Sequence, residues 1–119
     1  MHRCARIVFS LRFHMGEMSP QQCVDMLVED VGHERATAEG EVRRSFGGDY
    51  PPLYQCAYMI GGLQMLALHR EMVLDGPMTE RSFHDAVMRE NCMPIAMLRA
   101  ALRGDRPSPD TPPVWRFAD

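Results

Sequence analysis

Apolar residues recur at helical spacing along most of the chain, and no stretch reads convincingly as a strand. The first helix is predicted over residues 2–15, because five apolar residues lie three or four positions apart and share one face. These residues are Cys4, Ile7, Val8, Leu11 and Met15. We expect this face to pack inward and Gly16 to end the helix.

Two more helices are predicted before residue 47. Ser19 is followed by proline, and Gln22 completes a capping-box pattern, so a helix should run from here to about residue 31. A charged third helix follows over about residues 34–46. Glycines and prolines in residues 47–52 then favour a loop.

The longest helix is predicted from about Pro52 to Leu74. It is apolar nearly all round until His69, which is typical of the central helix of a bundle. Gly61 and Gly62 lie inside it, where each costs about 1 kcal/mol relative to alanine. Close approach of another backbone or of a ligand would explain that cost.

Two short helices complete the predicted bundle. Thr79 caps the first, which should turn Phe83, Val87 and Met88 inward. The second covers about residues 95–102.

The end of the chain has a different composition. Prolines at positions 107, 109, 112 and 113 predict extended or irregular structure. Trp115 and Phe117 are expected to dock on the bundle or on a partner. The predicted fold is therefore all-α, a bundle of five to six helices in residues 1–104 with one long central apolar helix. A Pro-rich tail, residues 105–119, follows it.

Composition argues against several kinds of partner. All thirteen basic residues are arginine, and the formal net charge is −3. The basic pair Arg43-Arg44 lies among acidic residues, so no nucleic-acid partner is expected. The longest uncharged stretch, residues 51–68, contains glutamines and glycines and reads as a core helix rather than a membrane span. The N-terminus does not fit a secretory signal, so the cytoplasm is the default expectation.

The sequence offers no complete catalytic centre. His33-Glu34 begins like the zinc-binding HExxH motif, but threonine stands at position 37 where the second histidine ligand would be. No serine lies in a GxSxG turn, and no glycine-rich phosphate loop is present. We therefore expect no metal site and no cofactor in this chain alone. The four cysteines are expected to be reduced and packed as small hydrophobic residues.

The stretch from Tyr50 to Tyr58 is the strongest candidate for a site. Tyr54 and Tyr58 are four residues apart and therefore share one face at the start of the long helix. A phenol can donate a hydrogen bond to a developing oxyanion or to a peptide carboxylate. The residues alone leave an alternative open, in which both tyrosines are amphipathic core residues whose hydroxyls reach the surface.

Several stretches carry a family resemblance. The most specific are the Tyr-x-x-Gly-x-Leu segment from Tyr58 to Leu63, FHDAV at 83–87 and MPIAML at 93–98. With the surrounding chain from ARIVF at residue 5 to RAAL at residue 102, and with the ending PPVWRF, they resemble the C-terminal end of a bacterial family. That family is catalogued as domain of unknown function 885.

The resemblance implies a role within a larger protein. Full-length members resemble α-helical zincin metallopeptidases, whose zinc would be held by a region upstream of the one seen here. By position, Tyr58 would be the hydrogen-bond donor on the oxyanion side. Tyr50 and Tyr54 would contact a peptide substrate, and Arg44 would pair with a carboxylate. The implied partner is the upstream zinc-binding region, and the chain alone is expected to be inactive.

Two other functions stay open. The chain could be a stand-alone interaction module that forms a homo-oligomer through an exposed apolar helix, for which eleven methionines would give an adaptable surface. A small-molecule-binding bundle is the third possibility, and it would need a cavity beside Gly61.

Overall fold

The computed structural model describes residues 2–106, 108–110, 112 and 114–118. Within these residues it contains six α-helices, one π-helical turn and no strand, which confirms the all-α prediction. The elements are α1 (His2–His14), α2 (Pro20–Glu29), α3 (Arg35–Phe46), α4 (Tyr54–His69), the π-helical turn (Arg70–Leu74), α5 (Glu80–Glu90) and α6 (Ile95–Arg103). In the part of the chain that is described, no helix is both long and apolar enough to cross a membrane.

The chain divides into two compact units, residues 1–59 and 60–119, and the boundary falls inside α4. The expected boundary between residues 104 and 105 stays a prediction. Two of the four tail prolines, at positions 107 and 113, lie outside the described residues.

Two helix starts that the sequence predicted from capping signals are confirmed. The Ser19 hydroxyl accepts a hydrogen bond from the Gln22 N–H (3.3 Å), and the Gln22 side chain accepts one from the Ser19 N–H (2.8 Å). Thr79 and Ser82 form the same reciprocal pair at the start of α5. Such caps satisfy N–H groups that have no partner within the helix.

The core of residues 1–59 lies among α1, α2 and α3. Its buried residues are Ala5, Phe9, Cys23, Val24, Leu27, Ala38 and Val42. Phe46 closes this core, because it meets Phe9 edge-on and stacks on Phe13 with ring centres 3.5 Å apart. Aromatic packing of this kind contributes beyond the area that it buries.

The predicted inward face of α1 is wrong. The helix packs through Ala5, Phe9 and Phe13, which also lie four residues apart, because two phenylalanine rings bury more apolar surface than the residues on the predicted face. Four residues of the predicted face are exposed instead, and we call them the α1 stripe: Cys4, Val8, Leu11 and Met15. Val8 and Leu11 are 42% and 40% exposed, and Met15 is 66% exposed.

A second core lies within residues 60–119. Leu68, Met72, Phe83 and Leu98 are its buried members, so the inward orientation predicted for Phe83 is confirmed. Val87 packs against this core, as predicted, whereas Met88 was also predicted to face inward but is 79% exposed.

The glycine pair of α4 has no crowded neighbourhood. A Cβ atom added to Gly61 or Gly62 would meet no described atom within 4 Å outside the nearby chain. The predicted close approach of another backbone is therefore wrong, and a small molecule beside Gly61 stays a prediction.

The Glu71 carboxylate gathers three arginines in the second unit. Arg99 Nε donates to one carboxylate oxygen at 3.0 Å, and Arg103 Nη1 donates to the other at 2.8 Å. Arg116 Nη1 lies 3.4 Å from the oxygen that Arg99 contacts. Burial alone would raise the pKa of Glu71, but the Arg103 hydrogen bond and the three positive charges outweigh it, so this pKa is lowered.

The tail contacts the rest of the second unit through its backbone as well as through Arg116. Arg99 donates to the Val114 carbonyl at 2.8 Å, and the Ala118 N–H donates to the Leu63 carbonyl at 3.0 Å. The rings of Trp115 and Phe117 are about half exposed. Docking of these two residues on the bundle or on a partner therefore stays a prediction.

Burial separates the four cysteines into two pairs. All four are free thiols, with Cys23 and Cys56 buried and Cys4 and Cys92 exposed. Burial raises the pKa of the Cys23 and Cys56 thiols. The expectation of packed cysteines therefore holds for one pair and is wrong for the other.

Replacing Glu71 should destabilise the fold. We predict that Glu71→Gln lowers the free energy of unfolding by about 3 kcal/mol, because the Arg99 guanidinium, whose side chain is 8% exposed, loses its counter-charge. The lowered pKa means that wild type has this stabilisation above the ordinary glutamate pKa of about 4.3 and loses it as the pH falls further. The difference between the two proteins in urea unfolding should therefore shrink in acid.

The matched control is Glu90→Gln, at an exposed position near the end of α5. It should leave the urea midpoint nearly unchanged. Equal stability of the Glu71 and Glu90 variants at neutral pH would contradict the structural role of Glu71.

Candidate functional site

The three tyrosines form a continuous row at the start of α4, which we call the tyrosine row. The rings of Tyr50 and Tyr54 are stacked, with centres 4.4 Å apart and planes 21° apart. The ring of Tyr58 follows one helical turn later, 6.2 Å from the ring of Tyr54 and at a steep angle to it. The structure therefore brings all three predicted tyrosines together, although Tyr50 precedes the helix.

Leu53 makes the turn into α4 in an uncommon backbone conformation. Its φ of 64° lies in the left-handed region, which costs a residue with a side chain about 1–3 kcal/mol. Strain of this size is retained where surrounding structure requires it, and Leu53 directly precedes Tyr54, whose ring stacks on that of Tyr50.

A charged group lies beside the tyrosine row, and we call it the Glu41 cluster: Arg6, Glu41 and Arg44. Arg44 Nη2 contacts both carboxylate oxygens of Glu41, at 2.7 and 2.9 Å. Arg6 Nη2 lies 2.8 Å from one of the same oxygens. The carboxylate that Arg44 binds in the structure is therefore that of Glu41, on the same helix α3.

Arg6 joins the Glu41 cluster to the tyrosine row. Its guanidinium carbon lies 5.7 Å from the centre of the Tyr58 ring, within the range of a cation–π interaction. The pKa of Arg44 is raised, because the charge and hydrogen bonds of Glu41 outweigh the effect of burial. Arg44 therefore remains cationic beside Tyr54.

The hydroxyls of Tyr54 and Tyr58 have different surroundings. Gln55 Nε2 donates to the Tyr54 hydroxyl at 3.1 Å and also to the Ser45 hydroxyl at 3.1 Å. Burial raises the pKa of Tyr54, although the nearby Arg44 charge acts in the opposite direction. By contrast, Tyr58 is 53% exposed, and no hydrogen bond joins its hydroxyl to another described residue. Of these two, Tyr58 has the hydroxyl that is available to an incoming group.

The HExxH-like start at His33-Glu34 has a structural explanation. Both carboxylate oxygens of Glu34 accept hydrogen bonds from backbone N–H groups, of Ala36 at 3.0 Å and Thr37 at 2.9 Å, and so cap α3. These two bonds lower the pKa of Glu34. His33 Nε2 faces His2 Nδ1 at 2.9 Å instead of a second ligand one turn along α3. The zinc that the resemblance implies does not fit these residues.

One group of possible metal ligands escaped the sequence analysis. His69 at the end of α4, and Glu80 and His84 on α5, place one ligand atom each within 4.8 Å of one another. We call this group the His–Glu–His triad. The only signal in the sequence is the four-residue spacing of Glu80 and His84, and His69 joins them through the fold.

The sequence matches a family described as "Bacterial protein of unknown function (DUF885)" over residues 1–102. The chain belongs to this family, which confirms the resemblance at that level. Neither the curated proteins nor the solved structures contain a match. The metallopeptidase-like role of the chain, and the roles of Tyr50, Tyr54, Tyr58 and Arg44, stay predictions.

We predict that the Tyr54 phenol titrates above its ordinary pKa of about 10, because burial disfavours the phenolate. The ultraviolet absorbance of wild type minus that of Tyr54→Phe, followed against pH, isolates this one phenol. The midpoint of the difference should fall to the ordinary value when both proteins are unfolded in urea. The same midpoint in the folded and unfolded proteins would contradict the packing of Tyr54.

Proposed function

We propose that this chain forms one wall of a peptide-binding cleft in a metallopeptidase-like protein, with Tyr58 as the hydrogen-bond donor to the developing oxyanion. The observation that carries the proposal is the tyrosine row, in which the half-exposed Tyr58 hydroxyl has no hydrogen-bond partner among the described residues. A donor of this kind contributes most when it is held in place before charge develops.

The surroundings of Tyr58 favour negative charge near its hydroxyl. Its ring lies 6.2 Å from the Tyr54 ring and 5.7 Å from the Arg6 guanidinium, and Arg6 in turn pairs with Glu41. The positive charge of Arg6 therefore occupies a defined position beside the donor. A fixed donor stabilises an oxyanion, and a nearby positive charge adds to that stabilisation.

Tyr50 and Tyr54 are proposed as the substrate contacts. Their stacked rings form a rigid surface with few rotatable bonds, which suits contact with a peptide side chain. The Glu41 cluster adds two guanidinium groups against one carboxylate and so retains one net positive charge. This positive charge would attract an anionic group of the substrate. Arg44 is the proposed partner of that group, because it lies nearer to the tyrosine row in the sequence than Arg6 does.

The remaining chemistry is assigned to the upstream zinc-binding region of a longer family protein. Support comes from the resemblance and from the residues at His33-Glu34, which serve as a helix start and do not provide an HExxH site. On this proposal the 119-residue chain binds and orients a peptide but does not cleave it.

Replacing the Tyr58 hydroxyl should slow peptide cleavage. In the longer protein that joins this chain to an HExxH-bearing region, Tyr58→Phe should lower kcat by about 10²–10³-fold, because one oxyanion donor is lost. KM should change little, since the ring and its contacts remain. Initial rates on a quenched fluorescent peptide measure both constants.

Trp115→Phe is the matched control, as another exposed aromatic residue, to which the proposal gives no role in the cleft. It should leave both constants unchanged. An unchanged kcat in Tyr58→Phe removes Tyr58 from the proposed mechanism. Cleavage by the isolated 119-residue chain would overturn the assignment of catalysis to another region.

A second candidate function is self-association as a helical interaction module. The α1 stripe is the specific observation in its favour, because Cys4, Val8 and Leu11 on α1 and Met15 directly after it are all exposed and share the spacing of one helix face. The long helix α4, which the sequence favoured for this role, also exposes Leu66. Contiguous apolar surface of this kind is typical of contacts between proteins.

If the α1 stripe joins two copies of the chain, a charge at its centre should separate them. We predict that wild type is a concentration-dependent dimer in sedimentation equilibrium and that Leu11→Glu is a monomer. The control Arg12→Glu changes a neighbouring exposed residue outside the stripe and should leave dimerisation intact. A monomeric wild type at every concentration would rule out this second function.

A further inference from the structure

The His–Glu–His triad brings a carboxylate and two imidazoles to one point. His69 Nε2 lies 2.8 Å from Glu80 Oε2, and His84 Nε2 lies 3.6 Å from the same oxygen. All three ligand atoms lie within 4.8 Å of one another. Two histidines and one glutamate are a ligand set that zinc uses in proteins.

We propose that the His–Glu–His triad binds one divalent transition-metal ion of the zinc type, through His69 Nε2, a Glu80 carboxylate oxygen and His84 Nε2. This inference does not rest on the proposed function, because the site uses neither the tyrosine row nor an HExxH-bearing region. The fourth coordination position is open to water.

The distances require only small adjustments for such an ion. Tetrahedral zinc with ligand bonds of about 2.0–2.1 Å holds its ligand atoms about 3.3 Å apart. The His84–Glu80 separation of 3.6 Å is close to this value, and the His69–Glu80 pair must open from 2.8 Å. The two histidine nitrogens lie within 4.8 Å of each other and must also come to about 3.3 Å.

The two imidazoles are already oriented by their neighbours. The His69 ring packs edge-on against Phe83, with centres 5.3 Å apart, and Phe83 is buried in the second core. The His84 ring lies 6.5 Å from the His69 ring and at a right angle to it. His69 is partly buried, whereas Glu80 and His84 are exposed, so an ion has access from solvent.

The backbone at His69 is a second observation. The π-helical turn Arg70–Leu74 begins directly after it, and such turns are rare and frequently lie at functional sites. The local hydrogen-bonding pattern thus changes at the residue that supplies the first ligand. The i,i+4 spacing on α5 brings His84 to Glu80, and the chain between α4 and α5 adds His69 to this pair.

A bound ion would link the end of α4 to the first turns of α5. The ligands span residues 69–84 and enclose the turn between the two helices. Zinc of this kind stabilises the folded state, because the unfolded chain does not hold the three ligands together.

The test uses the 119-residue chain freed of metal by chelation and dialysis. Zinc titration by calorimetry should show one bound equivalent, and cobalt(II) should give the visible absorption bands of a low-coordinate site. His84→Ala and Glu80→Gln should each weaken zinc binding at least about tenfold, as expected for a direct ligand when even outer-shell changes cost 10–100-fold. Both positions are exposed, and far-ultraviolet circular dichroism checks that the helices remain.

His33→Ala is the matched control, because His2 and His33 also bring two ring nitrogens within 2.9 Å. It should leave zinc affinity and the cobalt spectrum unchanged. Absence of saturable binding in wild type, or unchanged affinity in either triad variant, overturns the inference. Loss of binding in His33→Ala also overturns it and assigns the ion to the other histidine pair.

Discussion

Each unit of this protein contains one glutamate carboxylate that binds two or three arginine side chains. Glu41 holds Arg6 and Arg44 in the first unit, and Glu71 holds Arg99, Arg103 and Arg116 in the second. Arginine suits this arrangement because its planar fork can reach a shared carboxylate from several directions while remaining charged. The chain contains no lysine, and all the cationic partners of these two carboxylates named above are arginines. In the second unit, the Glu71 carboxylate links the π-helical turn, α6 and the tail, which are far apart in sequence.

The parts of the fold that could be predicted are those set by local chemistry. Ser19 and Thr79 marked helix starts correctly, because a cap depends on residues only three positions apart. The inward face of α1 could not be settled in this way. Two apolar stripes run along that helix. The stripe that contains Phe9 and Phe13 is the one that packs in the core, because Phe46 on α3 completes the packing of their rings. That partner is more than thirty residues away, and helical spacing carries no information about it.

The same limit applies to the candidate site. The closeness of Tyr54 and Tyr58 follows from their spacing, whereas the stacking of Tyr50 depends on the conformation of Leu53 before the helix. The positive charge beside Tyr58 comes from Arg6 on another helix, so only the fold could reveal it. His69 is separated from its two neighbours in the triad by a turn, so the spacing of Glu80 and His84 is the only part of that cluster that the sequence could have indicated.

The four thiols differ in exposure, so their reactivity reports whether the chain is folded around them. An alkylating reagent reacts with the thiolate and needs access to sulfur, so Cys4 and Cys92 are the positions open to it in the native state. Cys23 and Cys56 are shielded, and their raised pKa values further disfavour the reactive form. Mass added per molecule therefore reports opening of the first unit, to which both shielded thiols belong, without any introduced label.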